Sequence, residues 1–219
     1  MQSLTSRVIG ILLAVAIVAV AIAFYVSGFL RSPTPIAAGQ VEPGQAQLTL
    51  GTTPAVGKLG GNPTWVSFLV REGDQWKHTT NFDVPAHSLV KVTVDQYDGQ
   101  SGLRNPFLSQ VQGTVGGVMT VDGQTTNAIN PQEASHTFAV PQLGILVPLP
   151  GVADDAPNQC AEMPCTLDQA HKTITFTIRT GEKGRYRWQC FVPCAAGFND
   201  GFGGPMQTIG YMDGFVHVV

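Results

Sequence analysis

From Val8 to Leu30 the chain reads VIGILLAVAIVAVAIAFYVSGFL, without one charged residue. An uncharged apolar stretch of about 20 residues has the length needed to cross the hydrocarbon core of a bilayer as a helix. Residues 1–31 therefore read as a single N-terminal membrane anchor, and whatever else the chain does must be done by the residues after it. The competing reading is a cleavable leader, since Ala21-Ile22-Ala23 offers a small-residue cleavage site. Against it, the apolar run continues through Phe24, Tyr25, Val26 and Phe29, beyond the core of an ordinary leader. Arg7 and Arg31 flank the run evenly, so flanking charge does not set its orientation. No cysteine sits at its end, which argues against a lipid anchor on cysteine.

Beyond the anchor, 32–46 is rich in Pro, Gly and small residues and reads as an extended, mobile linker. The remainder, 47–219, is long enough for one good core and short for two. The whole chain has 12% charged residues, a net charge of -3 and no basic patch, so nucleic acid is excluded as a partner on electrostatic grounds. β-branched residues dominate its apolar runs, and no long stretch has a helical period. The clearest strand is Ser88 to Tyr97, where Val90, Val92 and Val94 share one face that should be buried. Further strands are expected at Gln47–Gly51, Thr64–Arg71, Trp76–Phe82, His136–Val140, Gly144–Leu149, Lys172–Arg179, Arg185–Cys190 and Gly214–Val219. The segment from Asp98 to Asn130 is a polar, Gly-rich excursion with one short strand near Val118–Val121. Short strands separated by turn chemistry, with no helix of crossover length, predict an all-β Greek-key sandwich.

All four cysteines lie in this body, as two close pairs, Cys160 with Cys165 and Cys190 with Cys194. Paired thiols in an exported β-domain point to disulfides or a metal site, and both place the domain on the extracytoplasmic side of the cell membrane. The first pair, in NQCAEMPC, reads as a local disulfide, with cross-pairing between the two pairs left open. The second pair fits either bridging thiolates or, without a metal, a disulfide within its loop.

Three segments of the C-terminal half carry a resemblance: SHTFAVP around His136, GRYRWQCFVPCAAGF from Gly184 to Phe198, and GYMDGFVHVV at the end. They resemble the cupredoxin family, and most closely subunit II of haem-copper (cytochrome c) oxidases. There a His-Ser-Phe-x-x-Pro segment supplies a copper-binding histidine and a Cys-x-x-x-Cys loop supplies two thiolates. The resemblance implies a cupredoxin-type sandwich, a copper site on His136, Cys190 and Cys194, and an axial methionine at Met212 or Met206. Imidazole, thiolate and thioether donors suit copper. Val192 stands where the family usually has Glu, but that ligand is a backbone carbonyl and the exchange is tolerable. The family's second histidine falls at Phe198 here, and Asn199 to Thr208 is a Gly-rich insertion. The resemblance thus also implies an incomplete copper site.

His217, on the last strand, is expected to be structural, and His78, His87 and His171 to be exposed at strand ends. Phe138, Trp188, Phe191 and Phe198 are expected chiefly as core, with an electron-entry surface as the alternative role. No nucleophile–base arrangement, phosphate loop or zinc-protease motif occurs, and Asp154-Asp155 reads as a solvated turn. No independent catalytic activity is expected. The readings carried forward are a subunit-II-like protein in or beside a respiratory electron-transfer complex with a vestigial copper site, an atypical copper electron carrier, and a Cu(I) delivery protein. Their implied partners are the membrane and oxidase subunits or a redox protein.

Overall fold

Leu4–Phe29 forms one helix, α1, of 26 residues. At 1.5 Å per residue it is about 39 Å long, more than the roughly 30 Å of a bilayer's apolar core. By length and composition it is a candidate membrane span, a property that a signal sequence shares. The structure, a computed structural model, describes residues 4–29, 33–195 and 204–219. The helix belongs to one compact unit, and Pro33–Val219 forms a second.

The second unit is built from two sheets. Its strands are β1 (Ile36–Ala37), β2 (Gly39–Glu42), β3 (Gln45–Thr53), β4 (Ser67–Glu72), β5 (Gln75–Lys77), β6 (Asn81–Val84) and β7 (Leu89–Gln96). They continue with β8 (Met119–Val121), β9 (Gln124–Thr126), β10 (Ala134–Val140), β11 (Ile145–Pro150), β12 (Lys172–Arg179), β13 (Gly184–Gln189) and β14 (Asp213–Val218). One sheet runs β1-β6-β14-β13-β10-β11, and the other β5-β4-β3-β7-β12-β8-β9. β2 pairs with the first half of β3, and β4 with its second half. Most pairs are antiparallel, but β3 lies parallel to β7, and β6 parallel to both β1 and β14. The chain leaves one sheet through β6 and returns at β7, so these parallel neighbours are Greek-key crossings rather than βαβ units.

The alternation read in the sequence sets the core. Val90, Val92 and Val94 are buried, with Ile174, Phe176 and Ile178 of β12 beside them in register. Phe68 of β4 faces Phe82, Phe138 and Trp188 from the other sheet. The Trp188 ring stands 4.7 Å from Phe68, 5.3 Å from Phe138 and 5.7 Å from Phe82 between ring centroids. Its indole N–H donates to the Thr80 carbonyl at 2.7 Å, so the buried polar atom is satisfied.

Two expectations are corrected. The mobile linker over 32–46 is largely sheet: Ile36 and Ala37 pair with Phe82 and Asp83, and Gly39 and Gln40 pair with Gln47 and Ala46. Asn81 and Thr79 further tie down the carbonyls of Pro33 and Thr34. Small residues and prolines suit an edge strand as well as a tether, and the open edges of β3 and β6 supplied the partners. The single strand expected over Trp76–Phe82 is two, because the chain bends at Thr79 and passes from one sheet to the other. The Asp98–Asn130 excursion holds the expected strand as β8, extended by β9 into a hairpin on β12.

Trp188→Ala should cost about 3–5 kcal/mol through lost burial and the cavity left behind. A fall in the denaturation midpoint of the full chain in detergent would register it; an unchanged midpoint would show that the aromatic stack does not hold the sheets together.

Candidate metal centre

β10 carries His136 and pairs with β13, Ala139 lying opposite Gln189. Cys190 follows Gln189 directly, so the antiparallel register carries the residues after β13 back along β10 towards Thr137 and His136. A register shift between Ala134 and His136 interrupts the β10–β11 ladder at this point, and bulges of this kind re-aim a side chain. His136 is fully buried on the face shared with Phe138. Its Nδ1 lies 3.8 Å from Cys190 Sγ, which in turn lies 3.7 Å from Cys194 Sγ. The donor atoms of His136, Cys190 and Cys194 all fall within 4.8 Å of one another. They form the one such His/Cys/Asp/Glu cluster among the described residues.

Backbone and side-chain bonds fix the arrangement. The Thr137 N–H donates to Cys190 Sγ at 3.5 Å, and the Phe191 N–H donates to Thr137 Oγ1 at 2.8 Å. Cys190 N–H donates to the Met212 carbonyl at 3.0 Å, tying the loop to the chain entering β14. At the far side of the loop, Pro205–Gln207 makes one short helical turn, and Gln189 Nε2 donates to the Met206 carbonyl at 3.1 Å. This places Met206 Sδ 3.1 Å from Cys194 Sγ. Of the two candidate methionines, Met206 is thus seated against a thiol. Met212 is buried in the core and meets the site through its backbone. The Val192 carbonyl oxygen stands 3.5 Å from Cys190 Sγ, so the Glu-to-Val exchange leaves a carbonyl beside the sulfur. Phe198 and the first half of the Gly-rich insertion, 199–203, lie outside the described residues.

The disulfide expectations divide. Cys160 and Cys165 are bonded, as the sequence suggested, and pack with Val56, Leu69, Tyr97, Met163 and Tyr211 in a second small core. Cys190 and Cys194 are free thiols, which corrects the reading of a disulfide in that loop. Among the aromatics, Phe138 and Trp188 are core, whereas Phe191 is exposed at the edge of a cavity of about 550 Å³ that Phe107, Leu108, Pro141, Ile145 and Leu146 also line. His217 Nδ1 pairs with Asp83 at 2.9 Å and is structural. His87 is exposed, while His78 is half-buried edge-on against Tyr211 and His171 is half-buried on the Gln169 carbonyl. One group that sequence reasoning missed is Asp98, whose carboxylate lies 3.0 Å from His136 Nε2. It begins the polar excursion, and no local motif marks it.

The cluster tunes its own protons. Burial pulls the His136 pKa down, but hydrogen bonds to Asp98 and Cys190, with their charges, outweigh it and raise the value to about 9. Burial pushes Cys190 up, yet hydrogen bonding from Cys194 and from His136 brings its thiol well below the usual value. Cys194, half-buried and hydrogen-bonded to the Cys190 sulfur, is raised by that contact first and by burial second. Without metal the site is an imidazolium facing a thiolate, with a neutral thiol beside them. Donors bound tetrahedrally at about 2.0–2.3 Å stand roughly 3.3–3.8 Å apart; the His136–Cys190 and Cys190–Cys194 spacings match that range, while the cluster as a whole spans up to 4.8 Å and would draw together on a shared ion. A nitrogen, two thiolates and a thioether form a soft donor set that fits copper.

The fold and the cluster together define a two-sheet Greek-key β-sandwich with a candidate metal centre. Solved structures similar to this chain include the copper protein rusticyanin, at 16% identity over 86% of this chain and 85% of that one, with a TM-score of 0.35. Rusticyanin from Thiobacillus ferrooxidans is similar at 17% identity over 86% and 84%, with a TM-score of 0.32. A chain of a haem-copper terminal oxidase dimer is similar at 12% identity over 99% and 100%, with a TM-score of 0.31. No protein-family model matches the chain, and no curated protein matches it.

Alkylation of the metal-free, denatured but unreduced protein should label Cys190 and Cys194 and spare Cys160 and Cys165; labelling of none would mean a second disulfide. A pH series offers a separate check. His136, with its pKa raised, contributes stability that is full below 6.5 and lost as pH rises through about 9. Cys190, with its pKa lowered, contributes stability that is full above its ordinary 9.0 and is lost as pH falls towards its lowered value, so it runs against the His136 contribution. Cys194 stays protonated above 9.0, where the unfolded chain ionises, and so favours unfolding there. The unfolding midpoint of metal-free protein should hold level near neutrality and fall above about pH 9, with a smaller fall in Cys194→Ser.

Proposed function

We propose that this chain is a copper-binding electron-transfer protein, tethered to the cell membrane by α1 with its β-domain on the extracytoplasmic side. The observation that carries this reading is the convergence of His136 Nδ1 on two reduced thiols, with the Met206 thioether beside them. The copper would be held by His136, Cys190, Cys194 and Met206, with Met212 as the alternative thioether donor. Bound there, copper would supply one-electron exchange between Cu(I) and Cu(II). The protein's part is to hold the donors in place and keep water from them. Thr137 fixes the Cys190 sulfur, burial of His136 and Cys190 excludes solvent, and the depressed Cys190 pKa provides a thiolate.

The oxidase setting is supported by the SHTFAVP and Cys-x-x-x-Cys segments and their likeness to subunit II. In this setting the domain works in or beside a respiratory complex, its partners being oxidase subunits or a redox protein. The Cys160–Cys165 disulfide supports an oxidising compartment. A vestigial copper site is the less favoured reading, because His136, Cys190 and Cys194 keep their donor atoms within 4.8 Å of one another and the Met206 thioether stands beside them.

The test is native mass spectrometry with absorption spectroscopy on the full chain, exported from a copper-supplied host and purified in detergent. Bound copper with a thiolate-to-copper absorption band, lost in His136→Ala, is the expected result. Protein free of copper with Cys190 joined to Cys194 would overturn it and leave a docking subunit.

A further inference from the structure

Among the described residues Asp98 is the carboxylate in contact with the cluster's histidine, and its placement is over-determined. It stands in the loop leaving β7, and so reaches His136 from the opposite sheet. Its Oδ2 faces His136 Nε2 at 3.0 Å, while its Oδ1 accepts the Gly99 N–H at 2.8 Å. Its own N–H donates to Gln96 Oε1 at 3.2 Å, and its carbonyl accepts the Val152 N–H at 2.9 Å. Gln96 is fully buried and is held in turn by the Thr52 hydroxyl. The loops touch so closely that a Cβ on Gly151 would come within 2.5 Å of the Gly99 carbonyl, which demands glycine there.

This geometry decides the histidine's tautomer. A carboxylate accepts and does not donate, so the proton of a neutral His136 must sit on Nε2. The lone pair then lies on Nδ1, the atom facing Cys190 and Cys194. A carboxylate behind a metal-bound imidazole also makes the ring a stronger donor, and partners of this kind tune metal affinity and potential. Its negative charge favours the higher oxidation state of an ion in a low-dielectric site.

We infer that Asp98 is a positioning residue of the metal centre: it presents Nδ1 of His136 to the metal and biases the bound copper towards Cu(II). The inference rests on the copper reading above. A simple structural tie between the sheets would leave the potential of the centre unmoved, and this separates the two roles.

The experiment compares copper-loaded full chain in detergent with Asp98→Asn and Asp98→Ala. Asn keeps the shape and an acceptor oxygen but loses the charge; Ala loses both. The reduction potential should rise in both variants. Copper retention against a competing chelator should weaken about 10–100-fold in Asp98→Ala, and less in Asp98→Asn. An unchanged potential in Asp98→Asn would overturn the inference even if Asp98→Ala fails to fold. Wild-type protein that holds no copper would instead refute the copper reading, and the inference would fall with it.

Discussion

Packing of the Trp188 indole against rings from both sheets is the contact on which the rest of the domain depends. Phe68 comes from one sheet, and Phe82 and Phe138 from the other, so one side chain sets the spacing between layers. Trp188 lies on β13, two residues before Cys190, and Phe138 on β10, two residues after His136. The strands that deliver the site are therefore locked by the same stack that closes the core. Dense interiors transmit small displacements rather than absorbing them, so the donor atoms inherit the rigidity of the aromatic layer.

Onto this frame the chain adds short polar ties. Thr137 serves two purposes, its N–H reaching the Cys190 sulfur and its hydroxyl oxygen holding the Phe191 N–H. Arg187 Nε donates to the buried Asp213 carboxylate at 3.0 Å, closing the base of the loop between β13 and β14. Buried polar groups are tolerable only when paired, and this pairing also orients them. The result is a site whose histidine and two cysteines share protons unequally, the thiolate lying between its two donors.

Much of the fold was legible because its strands alternate cleanly. Ser88–Tyr97 and Lys172–Arg179 were read almost residue for residue, since a two-residue period with one apolar face admits little else. The segment before Gln47 was misread in two ways: Ile36 and Ala37 pair with Phe82 and Asp83, which nothing local records, whereas Gly39–Glu42 folds back on β3 through a turn at Pro43-Gly44 that a local reading could have found. His136, Cys190 and Cys194 were legible through motif spacing. The state of the second cysteine pair was not. Close cysteines in an exported chain read equally as a disulfide or as ligands, and only the placement of their sulfurs separates the two.

The sequence alone determined the apolar helix, the all-β class, the core faces of the principal strands and the candidate donors, because each follows from local periodicity or residue chemistry. Tertiary structure decided which methionine meets a thiol, which cysteines are joined, and that Asp98 stands behind His136. Those outcomes depend on contacts between residues far apart in the chain; Asp98 and His136 are 38 positions apart. Their approach is set by sheet register and loop packing, which no short stretch of sequence encodes.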